Sequence, residues 1–268
     1  MTSVMGTHDR PHCQGGLLQE SVEKWPPEMK WPREKKAGDE RENMRSETLI
    51  VDDVMLMLLD DETGVPAGAG TLHYTLGGAV LVELALLGRI ETDKGRAGLN
   101  GPEVLAVGDG PLPDPLLQSA YEKIAERPRD VQTLLLQIGG GLRKPVIDRL
   151  VERGFIRRES KRMLGLFRTT RLPTDDMRHE SELRRKVCAV LERGESPDAR
   201  TAAVIAVLSA SGTLPTFHPA PKWSTEVSER AKELERGSWG ATAVNTAVAR
   251  TAAANSAAST VAIVSVIT

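Results

Sequence analysis

Basic residues are concentrated in one short stretch of the chain, and their spacing points to the binding of an anion. Residues 143–171 contain ten Lys or Arg and three acidic residues, whereas the chain of 268 residues has a net charge of −2. A local excess of positive charge is typical of a surface that docks onto an anionic partner. The sequence predicts that six of these residues bind the anion: Arg143, Lys144, Arg157, Arg158, Lys161 and Arg162.

An apolar run follows these basic residues at the tip of a predicted β-hairpin. In this hairpin we expect residues 166–170 to pair with residues 155–158. A cluster of exposed apolar side chains marks an interaction surface more often than it arises by chance. We therefore predict that four tip residues insert into a membrane interface or mediate self-association: Met163, Leu164, Leu166 and Phe167.

Three consecutive glycines at 139–141 precede the first of the basic residues. They resemble a phosphate-binding loop, but Pro145 follows Lys144 where a nucleotide-binding loop requires Ser or Thr. Two interpretations remain open. The glycines either form a backbone nest for a single phosphate at a helix N-terminus or form a flexible turn.

The sequence predicts a protein that is not an enzyme and needs no metal or cofactor. No nucleophile with a matching base can be proposed, and the five histidines are scattered along the chain. His8, His12 and Cys13 lack a fourth ligand for zinc, so a metal site there is not favoured. Glu83 lies in an apolar run, where an ion pair with a nearby Arg is a commoner role than catalysis.

Composition divides the chain into a disordered N-terminal arm over residues 1–46 and a single α-helical domain over residues 47–268. The arm carries eight basic and eight acidic side chains and no sustained apolar period. It has no apolar signal region, and two cysteines cannot form a disulfide framework, so a reducing cytoplasm is the expected compartment. Residues 240–268 are only mildly apolar, which favours a buried helix over a membrane span.

The periodicity of apolar residues predicts a mainly α fold, a compact helical core with two or three short β-hairpins. Gly88 and Gly154 are placed to end two of the helices, and Pro145 suits the first position of the second one. A short strand is expected over residues 89–92. The predicted helices cover residues 48–59, 78–87, 116–126, 145–154, 177–193, 198–211, 224–235 and 239 onward.

The order of these elements resembles the Golgi phosphoprotein 3 family, peripheral membrane proteins that bind phosphatidylinositol 4-phosphate. The resemblance covers most of residues 47–250, and its most specific part is the run ELALLGRI at residues 83–90. The short loops and the composition rich in Ala and Arg are similar to the bacterial branch of the family. Further matching segments are residues 48–64, 150–154, the hairpin through Phe167, and 198–201.

The resemblance implies a helical core with a flat basic face, a headgroup pocket on that face, and a hairpin that touches the bilayer and mediates self-association. The family's pocket uses a Trp and an Arg just before its second conserved helix, where this chain has small residues around Gly68 and Gly77. It uses two further arginines near the next conserved helix. These positions fall near Gly140 and on Arg143.

These observations favour a non-enzymatic peripheral membrane protein that binds anionic phospholipid, with a phosphoinositide-like headgroup, at the cytosolic face of a membrane. We also expect a homo-oligomer formed through the hairpin, an unidentified membrane-protein client, and no nucleic-acid partner. The alternative is a winged-helix-like nucleic-acid-binding protein, because a helix followed by Gly and a basic hairpin also builds a wing. The apolar tip favours the membrane hypothesis, since wings that contact phosphate usually have polar tips.

Overall fold

A computed structural model of the chain describes residues 48–60, 64–98, 100–163, 167–171, 177–216, 221–238, 240–242 and 244–246. For residues 159–163 and 167–171 it describes the course of the backbone. The described residues all fall in one compact unit that spans residues 34–268. The arm predicted over residues 1–46 lies outside the described residues.

The described residues form a mainly α fold, which confirms the predicted fold class. The helices are α1 (Ile50–Leu58), α2 (Leu72–Leu86), α3 (Pro115–Ala125), α4 (Val131–Gly139), α5 (Arg143–Glu152), α6 (Met177–Arg193), α7 (Ala199–Ala210) and α8 (Thr225–Gly237), with a 3₁₀ turn at Leu214–Thr216. The strands are β1 (Ile90–Gly98), β2 (Gly101–Ala106), β3 (Arg129–Asp130), β4 (Glu159–Met163) and β5 (Phe167–Arg171).

Helices α1, α2 and α7 form the centre of the core and pack against one another. Every residue of α1 is buried, and α7 is buried from Thr201 to the end of the helix. Helices that are apolar all round need neighbours on every side. Helices α3, α6 and α8 are amphipathic and supply that cover with one apolar face each, while their polar faces remain in solvent.

Helices α2 and α4 cross at a point where two glycines allow their backbones to touch. A Cβ atom on Gly77 would lie 2.7 Å from the Leu135 carbonyl oxygen, and one on Gly139 would lie 1.8 Å from that of His73. No side chain fits at either position without moving one helix away from the other. This contact fixes the end of α4 against α2, and the turn from α4 into α5 starts from that point.

Strands β1, β2 and β3 form a small antiparallel sheet, with Ile90 paired to Ala106 at one end of the β1–β2 ladder. The predicted strand over residues 89–92 is therefore part of a longer hairpin. None of the helices in the described part of the chain combines the length and apolar composition needed to span a bilayer.

Three local predictions were wrong. No helix was predicted over residues 131–139, where Asp130 caps α4 by accepting a hydrogen bond from the Thr133 amide at 2.9 Å. Helix α2 starts at Leu72 rather than residue 78, because Gly77 packs inside it against α4. Pro145 is the third residue of α5 and not the first. It is tolerated there because amides of a first helical turn have no carbonyl partner within the helix.

The predicted pairing of the hairpin was also wrong. Strand β4 pairs with β5, with Glu159 opposite Arg171 and Met163 opposite Phe167, so residues 155–158 are not part of the ladder. The reason is that the Phe155 and Ile156 amides both donate to the Leu150 carbonyl at the end of α5, at 3.0 and 3.4 Å. Residues 155–156 therefore belong to the body of the protein.

Candidate functional site

An open basic cavity lies at the N-terminus of helix α5. Its volume is about 490 Å³, within the range of roughly 300–1,000 Å³ that is usual for small-molecule sites. It draws on three parts of the chain: the segment after α1, the turn between α4 and α5, and the segment before β4. The lining residues are Gly64, Gly140, Gly141, Arg143, Lys144, Ile147 and Arg158.

Arg143 is the first residue of α5 and is exposed. It has no hydrogen-bond or ion-pair partner among the described residues. The residue before it, Leu142, provides no side-chain cap, so the first amides of the helix are not covered by a carboxylate or hydroxyl group of the cap. Unpaired amides and the helix dipole favour an anion at such an end. The guanidinium and the helix terminus therefore attract negative charge to the same place.

Lys144 and Arg158 are held at the cavity by one acidic residue, Asp148. The Lys144 ammonium donates to Asp148 Oδ2 at 2.7 Å, and the Arg158 guanidinium contacts Asp148 Oδ1. Hydrogen bonds from Lys144 and then from Arg158 lower the pKa of the Asp148 carboxyl. Two cations, Lys144 and Arg158, thus share one carboxylate, and the described lining residues include three basic side chains and no acidic one.

Three glycines, Gly64, Gly140 and Gly141, form part of the cavity wall. Gly141 has open space where a Cβ atom would be, and Gly64 has a φ of 68°, a conformation that favours glycine. Without side chains at these positions a ligand can approach the backbone directly. The glycine run singled out in the sequence therefore borders the cavity through Gly140 and Gly141.

The structure brings together three of the six predicted anion-binding residues, namely Arg143, Lys144 and Arg158. Arg157 is exposed and does not line the cavity. The predicted residues Lys161, Arg162, Met163 and Phe167 lie on β4 and β5, where the described structure gives the backbone, and Leu164 and Leu166 lie outside the described residues. Their predicted roles in binding and insertion stay predictions.

Two features of the cavity were missed from the sequence. Gly64 was included only as the end of a segment that matches the family, residues 48–64. Asp148 was counted only among the three acidic residues of the basic stretch, although its spacing of four residues from Lys144 is a signal for an ion pair on a helix.

Gly77, one of the small residues that the resemblance placed around the expected pocket, has no room for a side chain in this protein. The close crossing of α2 and α4 occupies the space in which its Cβ atom would lie. At Gly140 a Cβ atom would lie 2.9 Å from the Leu136 carbonyl oxygen. Of the positions named from the resemblance, Arg143 is the one whose charged side chain lines the cavity.

A second group of charged side chains lies between the helices, where the carboxylates of Glu83 and Asp53 are buried while the side chains of Arg200 and His179 are 32% and 34% exposed. Glu83 of α2 accepts a hydrogen bond from the Ile50 amide, and its Oε1 atom lies 3.5 Å from the Arg200 guanidinium of α7. Arg200 also donates to Asp53 at 2.9 Å, and His179 lies 2.8 Å from the other oxygen of Asp53. Four helices are connected through these contacts, and the ion pair expected for Glu83 is confirmed.

Asp52, on the same turn of α1, makes a separate set of contacts with α5. Its Oδ2 atom accepts hydrogen bonds from Arg149 at 2.8 Å and from the Leu49 amide at 2.9 Å. Arg149 also lies 2.6 Å from Asp114, the residue that caps α3. Asp52 and Asp53 are adjacent acidic residues in α1, which is otherwise apolar. This pair is the sequence signal for such partners, because buried carboxylates require cations or hydrogen bonds.

The acid–base properties of this group follow from its burial. Burial raises the pKa of Glu83 to about 7, although Arg200 and the Ile50 amide oppose the change. Burial alone would also raise the pKa of Asp53, but the hydrogen bond from His179 and the charge of Arg200 lower it. The hydrogen bond to Asp53 raises the pKa of His179. Glu83 therefore titrates near neutral pH, and the pKa of His179 lies above its ordinary value of 6.5.

The fold and the cavity define a helical protein with a candidate anion-binding site at a helix N-terminus. A profile of the Golgi phosphoprotein 3 family matches residues 50–251, which is most of the chain, and the protein therefore belongs to that family. The resemblance stated from the sequence is confirmed at this level. No curated protein matches the chain significantly.

Proposed function

We propose that this protein is a non-enzymatic peripheral membrane protein that binds the headgroup of an anionic phospholipid in its basic cavity. The observation that carries the proposal is the cavity itself, in which Arg143, Lys144 and Arg158 surround the uncapped start of α5. Membership of the Golgi phosphoprotein 3 family supports a lipid-binding role without catalysis.

The phosphate of a phosphoinositide-like headgroup suits this cavity better than a carboxylate does. A phosphate monoester presents several oxygens to the Arg143 guanidinium and to the first amides of α5 at once. The chain keeps one of the four pocket side chains of the family, so we expect moderate selectivity for the 4-phosphate over other anionic lipids. The assignment to the bacterial branch remains a proposal from composition.

The six predicted basic residues are not enough to attach the protein by themselves. Each cation near an anionic leaflet contributes about 1 kcal/mol, so six contribute about 6 kcal/mol. A dissociation constant of about 1 μM requires about 8 kcal/mol. We propose that insertion of apolar side chains at the hairpin tip supplies the remaining binding free energy at the cytosolic face of a membrane. We also propose that the same tip mediates self-association, and that the protein has an unidentified membrane-protein client.

The test is binding to vesicles of defined composition by co-sedimentation, with one matched pair of variants. Vesicles of phosphatidylcholine alone, with phosphatidylserine, and with phosphatidylinositol 4-phosphate separate charge from headgroup recognition. Arg143→Ala should weaken binding to phosphoinositide vesicles about tenfold, because it removes the unpaired guanidinium of the cavity. Arg127→Ala removes an exposed arginine from a second cavity, which Glu103 and Asp130 also line, and should leave binding unchanged.

Equal binding of wild-type protein to neutral and anionic vesicles would contradict the electrostatic part of the proposal. Equal losses for Arg143→Ala and Arg127→Ala would show that charge acts without the cavity. A salt-dependent gel shift with random duplex DNA tests the nucleic-acid alternative in the same buffer.

A further inference from the structure

Few large apolar side chains are exposed among the residues that the structure describes. Among the described residues three of them are, with exposed fractions of 53% for Val65, 50% for Leu136 and 48% for Trp223. Single exposed apolar residues need no explanation, whereas a group at one place marks an interaction surface. The positions of the three residues relative to the basic cavity therefore decide whether they belong to an interaction surface.

Val65 and Leu136 each lie close along the backbone to a residue that lines the basic cavity. Val65 directly follows Gly64, a lining residue, so the two Cα atoms are about 3.8 Å apart. Leu136 lies one helical turn before Gly140, another lining residue, about 6 Å along the axis. The Gly140 amide donates to the Leu136 carbonyl at 2.9 Å, which fixes this spacing. Two separate segments thus each place an exposed apolar side chain beside the cavity.

We propose that Val65 and Leu136 form an apolar rim that enters the interfacial layer of a bilayer while the cavity holds the headgroup of an anionic lipid. This inference rests on the proposed function and adds a second contact with the membrane, separate from the hairpin. A free phosphate or a soluble inositol phosphate would use the cations alone and would leave the rim in water. A phospholipid presents both chemistries at one place, a charged headgroup and an apolar layer beneath it.

The charges next to the rim agree with a membrane occupant. Lys144 is 84% exposed at the side chain, and Arg143 lies one residue before it. Long basic side chains beside apolar ones suit the boundary between headgroups and acyl chains, because their charged ends reach the phosphates while their methylene groups remain apolar.

Replacing rim residues by serine should weaken binding to vesicles without affecting the cavity. Removing about half of a Val or Leu side chain from water corresponds to a fivefold to tenfold change in affinity, on the order of 1 kcal/mol. Val65→Ser and Leu136→Ser should each weaken binding to phosphoinositide vesicles by about this factor. Trp223→Ser is the matched control, since it removes a larger side chain with the same exposure and should leave binding unchanged.

A second measurement reports insertion directly. Leu136→Cys, labelled with an environment-sensitive fluorophore in a background of Cys13→Ser and Cys188→Ser, should shift to shorter wavelength on vesicle binding and be quenched by lipids that carry a quencher in the upper acyl chain. The same label at Glu229, on the exposed side of α8, should not respond.

The outcomes separate this inference from the proposed function. If both rim variants bind vesicles like the wild type, or the Leu136 label shows no shift on vesicles that the protein binds, the rim is not a membrane contact. If Trp223→Ser weakens binding as much as the rim variants do, the contact is not specific to the cavity edge. If wild-type protein binds no anionic vesicle, the proposed function fails together with the rim.

Discussion

Two groups of charged side chains differ in how completely their charges are paired. In the buried cluster of Glu83, Asp53, Arg200 and His179, each carboxylate has a cation or an amide within 3.5 Å. In the basic cavity, Arg143 has no partner among the described residues, and Lys144 and Arg158 share Asp148. Asp148 and Lys144 are also much more exposed than Asp53.

The difference shows how burial decides what a charge can do. A charge inside the core must be paired, because leaving one ion of a buried pair without its partner costs several kcal/mol. A charge at the surface remains hydrated, so leaving it unpaired until a ligand binds costs little free energy. The paired cluster is therefore assigned to stabilising the fold, and the incomplete pairing in the cavity agrees with the proposed role in binding. Each of the following experiments changes either the buried cluster or the basic cavity.

The largest expected effect comes from removing a buried acid. Asp53→Ala leaves Arg200 and His179 without their shared carboxylate, in a place where Asp53 is 2% exposed. We expect the free energy of unfolding to fall by about 3–5 kcal/mol, as measured by urea denaturation. The matched surface change, Asp148→Ala, removes the acid of the cavity and should leave the unfolding midpoint nearly unchanged.

If Asp148→Ala destabilises the protein as strongly as Asp53→Ala does, the contrast between the two groups is wrong. The two variants should also differ in binding. Asp148→Ala should bind anionic vesicles somewhat more tightly, since Lys144 and Arg158 lose the carboxylate that they share.

A smaller effect is expected from pH, and it reports mainly Glu83 and His179 of the buried cluster. Folding raises the pKa of Glu83 from its ordinary value of 4.5 to about 7, and that of His179 rises above its ordinary value of 6.5. A raised folded pKa stabilises the protein at low pH, and the stabilisation is lost as pH rises through that value. Asp53 does not change the stability in this range, because the lowering of its pKa affects stability only below its ordinary value of 3.8.

Stability should therefore fall as pH rises from 6 to 8, by about 1 kcal/mol from Glu83 and further from His179. Glu83→Gln removes the first contribution and should flatten the profile, whereas Arg143→Ala should leave its shape unchanged. Thermal unfolding at several pH values measures this pH dependence of stability in the wild type and in both variants. A stability that rises from pH 6 to 8 in the wild type would contradict the assignment.

The fold could largely be predicted from the sequence because the helices carry strong local signals. Helix α6 has the predicted bounds, and Gly88 and Gly154 end their helices with φ values of 64° and 76°. Helix α4 was missed because its glycine-rich end is stabilised by tertiary contact with Gly77 and not by local preference. The hairpin register was missed for a similar reason, since packing of Ile156 against the body decides where β4 starts.

The candidate site could be predicted only in part. Local charge density identified Arg143, Lys144 and Arg158, which one cavity brings together. The contribution of Gly64 depends on the path of the chain after α1, and that of Val65 and Leu136 on which side chains remain exposed. Such information arises from tertiary packing and leaves no pattern in the sequence.

The central claim is that the cavity beside Arg143 binds the headgroup of an anionic lipid. A crystal structure of the protein with inositol 1,4-bisphosphate, the soluble headgroup of a phosphatidylinositol 4-phosphate, tests it most directly. We predict a phosphate within hydrogen-bond distance of the Arg143 guanidinium and of the first amides of α5, about 3 Å. A headgroup bound elsewhere, or an empty cavity at saturating ligand, would contradict the claim.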